Sequence, residues 1–303
     1  RDRLRSRGLG DVYKRQLMSS AKMIAVRDPY GFRPLCYGKM PDGSYVIASE
    51  SCALTAVDAE FVRDILPGEI VTITENGIKS DSRLIEESKA AQIPHAHCIF
   101  EYIYFARLDS TMDNVNIYDA RIRAGKALAA SYPVEADLVT GVPDSGLAAA
   151  MGYAQACGLP FALAFHKNSY VGRTFIKPTQ KDRQSAVHLK LSVLSSVVKG
   201  KRLVLIDDSI VRGTTMASLI RMLKDAGATE VHVRISSPPF LFPCYYGTDV
   251  PSNDQLIASS HTAAEICASI GADSLGYMKL EDLKQMTGDL PLCKACFDSH
   301  YPV

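Results

Sequence analysis

The stretch "RLVLIDDSIVRGTT", residues 202–215, decides how the whole chain is interpreted. Its apolar beginning is typical of a buried strand, and two adjacent carboxylates, Asp207 and Asp208, follow at the end of that strand. Ligands of open α/β sheets bind at the carboxyl ends of the strands. The residues after the acids lead into a helix N-terminus, where free N–H groups attract phosphate. The loop therefore predicts acceptors for hydroxyl groups or a divalent cation beside donors for a phosphate, as a ribose 5-phosphate requires.

An ordinary strand-to-helix connection is the alternative interpretation of this stretch. An N-cap would explain one acid and one threonine, because Asp, Ser and Thr are favoured there. It would not explain a double acid followed by Arg-Gly-Thr-Thr, so we favour the ligand site. The stretch lacks the Gly-Lys-Ser/Thr ending of a P-loop, which argues against a nucleoside triphosphatase.

Strands and helices alternate on both sides of this stretch. Strands of this kind, separated by helices of about 10 to 15 residues, predict βαβ units and a parallel sheet. The predicted helices are "DARIRAGKALAASY", "SGLAAAMGYAQACG" and "TMASLIRMLKDAG", and the other predicted strands are "ADLVTGVP", "PFALAFHK" and "EVHVRISS".

The segment from residue 23 to about residue 83 has a different pattern. Short β-branched or apolar runs separated by turn sequences predict an antiparallel sheet. "EIVTIT" followed by "ENGIKS" predicts a hairpin with a two-residue Asn-Gly loop. The polar segment "EESKAAQIPHAH" after it is predicted to be a linker or a surface helix, which places a domain boundary near residue 90.

Composition narrows the class of protein. The chain has 303 residues, 47% of them hydrophobic, which is enough for one or two domains. A net charge of +1 favours neither nucleic acid nor an anionic membrane as a partner. No apolar run approaches the roughly 20 residues that span a bilayer, and no signal peptide is evident, so we expect a cytoplasmic protein. In that compartment the eight cysteines are expected to be thiols, metal ligands or cluster ligands rather than disulfides.

The first sixteen residues, "RDRLRSRGLGDVYKRQ", differ from the rest of the chain. They are rich in arginine and show neither strand alternation nor a helical apolar stripe. "DVYKRQ" resembles the translation of a sequencing-library adapter. We therefore interpret residues 1–16 as a non-native segment rather than a basic arm.

Several further motifs, together with residues 204–215, carry a resemblance to a known family. "VLIDDSIVRGTT" resembles the loop of type I phosphoribosyltransferases that binds 5-phosphoribosyl 1-pyrophosphate (PRPP). In order along the chain, "RDPYGFRPL", "ASESCAL", "FVRDILPGEIV", "EYIYFARLDS", "NSYVGRTFI" and "HLKLSVL" resemble segments of the amidophosphoribosyltransferases. These enzymes catalyse the glutamine-dependent first step of purine synthesis: ammonia released from glutamine displaces pyrophosphate from PRPP and gives 5-phosphoribosylamine.

The resemblance implies an α/β fold in two parts. Residues 17–90 would be the C-terminal part of a β-rich N-terminal-nucleophile glutaminase domain. Residues 91–303 would form a type I phosphoribosyltransferase domain, a parallel sheet flanked by helices, with a C-terminal cluster-binding extension. The nucleophilic cysteine and the glutamine-binding motifs of the family are not among these residues, so we expect this chain not to hydrolyse glutamine.

The resemblance also implies the residues of the transferase site. Mg²⁺ and PRPP would be bound by Ser145 of "GVPDS", for which a helix N-cap is the alternative role, and by the two acids. "HKNSYVGRTFIKP" resembles a flexible loop that closes over PRPP, in which Lys167 and Arg173 are candidate catalytic contacts to pyrophosphate; an ordinary solvated loop is equally consistent. Ser169 stands where the family usually has arginine. The expected PRPP-binding residues are Asp207, Asp208, Ser209, Arg212, Gly213, Thr214 and Thr215.

The cysteines divide into two groups. Cys293 and Cys296 form a Cys-x-x-Cys pair, a spacing that fits zinc or an iron–sulfur cluster. In one branch of the family four cysteines hold a [4Fe–4S] cluster, and Cys98, Cys244 and this pair match all four positions. Zinc stays open from the spacing alone. The others lie in apolar contexts and are predicted to be packing residues: Cys36, Cys52, Cys157 and Cys267.

Other functions remain open at this stage. A regulator that senses PRPP is one alternative, although no helix-turn-helix or internal basic patch is evident. A type I phosphoribosyltransferase that takes a base is another, and an inactive fragment with exposed strand edges is a third. The family resemblance implies purine nucleotide inhibitors and a homo-oligomer, either a dimer or a tetramer.

Overall fold

The computed structural model describes residues 14–168, 170, 191–248, 250 and 252–303. It separates into two compact units. The first comprises Arg1–Asp119, Pro243–Pro251 and Thr287–Val303, and the second comprises Ala120–Phe242 and Ser252–Met286. The predicted limits at residues 16 and 90 stay predictions, although residues 14–16 are part of a strand.

Two antiparallel sheets form the N-terminal part of the first unit. One has the strand order β1-β2-β6-β7 and the other the order β4-β3-β5. Alternate residues are buried in β6 and at the end of β2, as period-two patterns predict: Val71 and Ile73 of β6 pack with Ala25 of β2. The strands are β1 (Lys14–Met18), β2 (Lys22–Arg27), β3 (Cys36–Lys39), β4 (Tyr45–Ala48), β5 (Glu60–Asp64), β6 (Ile70–Thr74) and β7 (Gly77–Asp81).

The predicted hairpin joins β6 to β7, but its loop is shifted by one residue. Thr74 pairs with Gly77, so the two loop residues are Glu75 and Asn76 rather than Asn76 and Gly77. Gly77 has φ +108, a backbone conformation that side chains with a Cβ rarely adopt. The glycine is therefore used at the first residue of the returning strand, not within the loop.

The remaining elements of the first unit's N-terminal part are short. Helix α2 (Arg83–Ala90), which has no buried residue, begins three residues before the segment predicted as a linker or surface helix and ends within it. A five-residue π-helix, Glu101–Phe105, follows β8. The elements are α1 (Ser51–Thr55), α2 (Arg83–Ala90), β8 (His97–Cys98), β9 (Thr111–Met112) and β10 (Val115–Asn116).

A four-stranded parallel sheet organises the second unit, as predicted. Its strand order is β11-β14-β15-β16, and apolar residues of β14 and β15 are completely buried in its core. The elements in chain order are α3 (Ile117–Ser131), β11 (Leu138–Gly141), α4 (Gly146–Cys157), β12 (Phe165–Lys167), β13 (Leu191–Val193), α5 (Ser195–Val198), β14 (Arg202–Asp207), α6 (Thr214–Asp225), β15 (Glu230–Ile235), α7 (Ala263–Ile270), β16 (Ser274–Tyr277) and α8 (Leu283–Thr287).

The predicted strand "PFALAFHK" differs from this pattern. Its first part is joined to β11 by one parallel bridge between Val139 and Phe161 and by a hydrogen bond from the N–H of Ala164 to Thr140 Oγ1. Its second part, β12, pairs antiparallel with β13 in a separate two-stranded ribbon.

The C-terminal segment returns to the first unit. Strand β17 (Leu292–Cys293) runs parallel to β8, with Cys293 opposite Cys98, and helix α9 (Ala295–Asp298) follows it. Within the described part of the chain, no helix is both long and apolar enough to cross a bilayer.

A buried charge cluster in the first unit leads to a prediction about stability. Arg27 forms two 2.8 Å hydrogen bonds with Asp113, and the backbone N–H of Asp113 donates to Asp64. Burial, and then repulsion from Asp113, raise the pKa of Asp64 to about 6. This value lies above the ordinary pKa of 3.8, so between these two pH values the folded state binds a proton that the unfolded state releases. The free energy of unfolding therefore falls as the pH rises from about 4 to about 6.

We therefore expect Asp64→Asn to raise the free energy of unfolding at about pH 8 by about 1–2 kcal/mol. The gain should shrink as the pH is lowered from about 6 to about 4, because the wild-type carboxyl is then neutral as well. Denaturant unfolding at several pH values measures it, with the exposed Glu75→Gln as control. A gain of the same size at every pH would show that the charge of Asp64 is not its cause.

Candidate functional site

The acidic pair lies at the carboxyl end of β14, between β11 and β15 in the parallel sheet. The backbone N–H of Asp208 donates to Asp207 Oδ1 at 2.9 Å. The N–H of Ser236, which follows β15, donates to the carbonyl oxygen of Asp207 at 2.9 Å. These bonds fix the turn, so both carboxylates are held at the edge of the sheet where ligands of this fold class bind.

Ser145 meets the acidic pair in space. It precedes α4, and its hydroxyl donates to Asp208 Oδ2 at 2.5 Å, while the hydroxyl of Ser209 donates to Asp208 Oδ1. Ser145 occupies the N-cap position of α4, but its side chain makes no capping hydrogen bond. Its side chain therefore does not cap the helix but contacts the acidic pair, and the binding of Mg²⁺ and PRPP by Ser145 stays a prediction.

The electrostatics explain why two adjacent acids need a ligand. Burial and repulsion from Asp208 raise the pKa of Asp207 well above its usual range. Burial also raises the pKa of Asp208, opposed by the hydroxyls of Ser145 and Ser209 and by the charge of Arg121. The doubly ionised pair is therefore costly in the unliganded site, and a divalent cation or hydroxyl donors would relieve that cost.

Gly146 is part of this site, although the sequence analysis did not single it out. A Cβ on this residue would lie 2.5 Å from the carbonyl oxygen of Ile206 and 3.2 Å from the Cα of Asp207. Only glycine allows the N-terminus of α4 to approach the end of β14 this closely. The N-terminus of α4 consequently lies beside the acids, and its first two N–H groups, those of Gly146 and Leu147, donate to the carbonyl oxygens of Val142 and Asp144.

The loop from Ser209 to Gly213 leads directly into α6. Gly213 has φ +79, and a Cβ there would lie 3.2 Å from Ile257 Cδ1. The N–H of Ile257 donates to the carbonyl oxygen of Val211 at 2.9 Å, which anchors the loop. Thr214 and Thr215 are exposed, and no described side chain caps the helix, so its N-terminal donors are accessible to an anion.

Of the three basic residues predicted for this site, the structure describes Lys167 and Arg212. Lys167, the last residue of β12, pairs with Asp144, the residue before Ser145, and so lies beside the "GVPDS" loop. Arg212 is exposed and donates to Gln255 Oε1. Arg173 lies outside the described residues, as does Ser169. Asp144, which the sequence analysis did not single out, belongs to this site because it pairs with Lys167.

Four cysteines line one recess of the first unit. Cys98, Cys244, Cys293 and Cys296 line this recess together with aromatic residues that include Phe32 and Tyr246. They come from β8, from the segment after Pro243, and from β17 and α9. The predicted grouping of these four residues, which are far apart in sequence, is therefore present in the fold.

The donor set of this recess is four cysteine thiols, a residue type that binds zinc or an iron–sulfur cluster. Among the described residues, no three Cys, His, Asp or Glu side chains are arranged to hold one metal ion. Burial raises the pKa of Cys98 to about 12 and that of Cys293 to about 11, so binding of a metal must displace thiol protons.

The other cysteines divide between core and surface. Cys36 and Cys52 are buried, as predicted. Cys157 is exposed at the end of α4, so the prediction that it packs in a core is wrong; the apolar residues around it face the core from other sides of the helix. Cys267 is half-buried.

Comparison with known proteins identifies the family. The phosphoribosyl transferase domain family matches residues 111–236, which include the acidic pair. Amidophosphoribosyltransferase of Archaeoglobus fulgidus is 49% identical over 306 residues and aligns with 100% of this chain. The enzyme of Bacillus subtilis is 48% identical over 300 residues and aligns with 97% of it. The chain belongs to the amidophosphoribosyltransferase family.

Solved structures agree with this assignment to the amidophosphoribosyltransferases. Glutamine PRPP amidotransferase from B. subtilis, in complex with ADP and GMP, matches 95% of this chain with a TM-score of 0.84 and 47% identity. A structure described as the allosteric regulatory enzyme of purine biosynthesis matches with the same TM-score and identity. The chain spans somewhat less than two thirds of its relatives: 65% of the A. fulgidus protein, 62% of the B. subtilis protein and 63% of the solved B. subtilis chain.

Proposed function

We propose that this chain catalyses the phosphoribosyl transfer of an amidophosphoribosyltransferase, the first step of purine synthesis. The nitrogen of ammonia attacks C1 of PRPP, the bond from C1 to the pyrophosphate oxygen breaks, and 5-phosphoribosylamine and pyrophosphate form. The observation that supports this most is the meeting of Ser145 with Asp208 at the end of β14, directly before the N-terminus of α6.

The reaction needs charge stabilisation more than it needs a protein nucleophile. C1 gains positive charge as pyrophosphate leaves with growing negative charge, so positioned charges and donors supply most of the catalysis. Asp207 and Asp208 would accept the ribose hydroxyls. The 5-phosphate would bind to the donors that begin at Ser209 and continue through Gly213, Thr214 and Thr215.

The pyrophosphate would be contacted by cationic residues. Lys167 lies next to the "GVPDS" loop through its pair with Asp144, and PRPP would compete with that carboxylate for the ammonium group. Arg173 is proposed from the family resemblance alone. Arg212 is proposed to contact the phosphate side, since its exposed side chain is attached to the same loop.

Mg²⁺ is proposed as the cofactor of this site. Ser145, Asp207 and Asp208 supply the hard oxygen atoms that Mg²⁺ prefers, and its remaining ligands would be PRPP oxygens and water. No all-protein cage is arranged among the described residues, which suits an ion bound together with its substrate. When bound, the ion neutralises charge on the leaving pyrophosphate.

We propose that Cys98, Cys244, Cys293 and Cys296 hold a [4Fe–4S] cluster with a structural role. It would join β8, the segment around Cys244 and the C-terminal segment within the first unit. Zinc is the alternative occupant of the same cysteines. Iron, sulfide and zinc analysis of anaerobically purified protein decides between them.

The partners of the site follow from the proposed reaction. PRPP and ammonia would be the substrates, with glutamine as the ammonia source in a chain that carries a complete glutaminase domain. Purine nucleotides are proposed as inhibitors, supported by the ADP and GMP bound to the B. subtilis relative. A homo-oligomer and a cytoplasmic location are proposed from the family.

Pyrophosphate release from PRPP tests the proposed function. Anaerobically purified chain with Mg²⁺ and ammonium chloride should release pyrophosphate in proportion to enzyme, and glutamine in place of ammonium should give none. Release with a purine base but not with ammonium would instead indicate a different phosphoribosyltransferase. Folded protein that releases none with any nitrogen donor would contradict the proposal.

A further inference from the structure

Arg33 is a buried cation that the proposed reaction does not use. Its side chain is 9% exposed, and it donates to Glu101 Oε1 at 2.6 Å. A second bond runs from its Nη2 atom to the carbonyl oxygen of Tyr246 at 3.2 Å, and its guanidinium carbon lies 5.0 Å from the centre of the Phe105 ring. A buried guanidinium is costly unless opposite charge or acceptors surround it, so these partners hold it in one place.

The residues around Arg33 connect it to two sides of the cysteine recess. Its neighbour Phe32 accepts a hydrogen bond from the N–H of Cys98 at 3.0 Å. On the other side, Tyr246, whose carbonyl oxygen binds Arg33, donates its own N–H to the Cys244 sulfur at 3.3 Å. The rings of Phe32 and Tyr246 stack with centres 4.5 Å apart, so the segments beside Cys98 and Cys244 are joined next to Arg33.

The charge of Arg33 acts on the thiols of the recess. Burial opposes the charge on Arg33, yet attraction to Cys98, Glu101 and Cys244 raises its pKa overall. Its guanidinium is bound to Tyr246, which lines the recess and donates its N–H to the Cys244 sulfur, so the charge is held next to the thiols.

We propose that Arg33 is the positioning residue that compensates the thiolate charge of the four-cysteine site and thereby stabilises the metal group bound there. This inference rests on the proposed metal site. Four thiolates bring more negative charge than the metal group neutralises, and in a buried recess water cannot screen the excess. A guanidinium fixed by Glu101 and Tyr246, next to the segments that carry Cys98 and Cys244, supplies the missing positive charge, in the way that outer contacts orient and tune metal ligands.

The test compares metal binding by the full chain with that of Arg33→Met and Arg33→Lys. For the apo-protein, the affinity for Zn²⁺ is measured by competition with a chromophoric chelator, and we expect Arg33→Met to bind about 10-fold or more weakly. For protein reconstituted with iron and sulfide under anaerobic conditions, we expect a lower iron content and a more negative reduction potential, because removal of a positive charge disfavours the added electron. Arg33→Lys keeps the charge and should keep the wild-type potential.

Arg63→Met is the matched control. Arg63 also pairs with a carboxylate, Glu69, at 2.6 Å and also lies over an aromatic ring, that of Tyr37, in the same unit. Its partners Glu69 and Tyr37 do not line the recess, whereas Arg33 binds the lining residue Tyr246, so the loss of Arg63 should leave Zn²⁺ affinity and potential unchanged. Circular dichroism of each apo-protein checks the fold, and the potential is read on the loaded fraction alone.

The outcomes separate the two proposals. Wild-type protein that takes up neither zinc nor iron and sulfide would overturn the four-cysteine site, and the role of Arg33 with it. Wild-type binding with unchanged affinity and potential in Arg33→Met would overturn only the role of Arg33. Equal potentials in Arg33→Lys and Arg33→Met, both different from wild type, would show that shape rather than charge is responsible, and would also overturn it.

Discussion

Asp208→Asn is expected to reduce the rate of PRPP turnover by about 100- to 1,000-fold, the range observed when one preorganised charged or hydrogen-bonding group is removed from an active site. The carboxylate accepts hydroxyl donors from Ser145 and Ser209 on separate oxygens, and an amide offers only one acceptor. The variant also loses the negative charge that would face Mg²⁺ and the developing positive charge of the ribose. Initial rates of pyrophosphate release with ammonium, over a range of Mg²⁺ concentrations, measure the effect.

A control for this variant is available on α6, the helix that follows the acidic loop. Asp225→Asn removes a carboxylate from the exposed far end of α6 and should leave the rate unchanged. The fold of Asp208→Asn should be intact, because removal of a buried negative charge that repels Asp207 does not destabilise the folded state. Near-normal turnover in Asp208→Asn would remove the acidic pair from the proposed mechanism.

Gly146→Ala is the second substitution for which we expect a large effect. The new Cβ would lie 2.5 Å from the Ile206 carbonyl oxygen, so either α4 or the end of β14 must move. Overpacking of this kind costs about 1–3 kcal/mol of stability. Because Ser145 and Asp207 adjoin the points of contact, the same movement should separate the serine from the acidic pair. We expect turnover to fall by about 10- to 100-fold, since misplacement of about 1 Å has effects of that size.

Gly158→Ala separates the effect on stability from the effect on the site. Gly158 ends α4 with φ +73, and no atom lies within 4 Å of its added Cβ, so alanine there costs about 1 kcal/mol of backbone strain alone. Thermal unfolding and initial rates are measured for both variants. We expect both to lose stability and only Gly146→Ala to lose turnover. Equal loss of turnover in the two would contradict a local effect at the acidic pair.

The acidic loop and the alternation around it were sufficient to predict the parallel sheet of the second unit, apart from the segment "PFALAFHK". β14, α6 and β15 lie where the apolar runs and their helical spacing place them, because such patterns reflect burial on one face of an element. Asp207 lies at the end of a buried strand and Asp208 directly follows it, where the general rule for ligands of α/β sheets predicts a site. The family resemblance, rather than the residue pattern, grouped Ser145 with the two acids. The structure adds the hydrogen bond from its hydroxyl to Asp208.

The features that sequence reasoning missed depend on contacts between distant segments. Gly146 matters because Ile206 approaches it, and no local signal marks that approach. Arg33 lies in a motif quoted only for its resemblance, and its meaning comes from Glu101 and the cysteines that surround it. The loop before Gly77 was misplaced by one residue because turn propensity fixes the neighbourhood of a hairpin better than its register.

The central claim is that the acidic loop, the α6 N-terminus and Ser145 form a binding site for PRPP with Mg²⁺. A calorimetric titration of the chain with PRPP, with Mg²⁺ and then with excess chelator, tests it most directly. The account predicts one site per chain with Mg²⁺, and binding at least about 10-fold weaker both with chelator and in Asp208→Asn. PRPP binding that is unaffected by chelator and by Asp208→Asn, or no binding by folded protein, would contradict it.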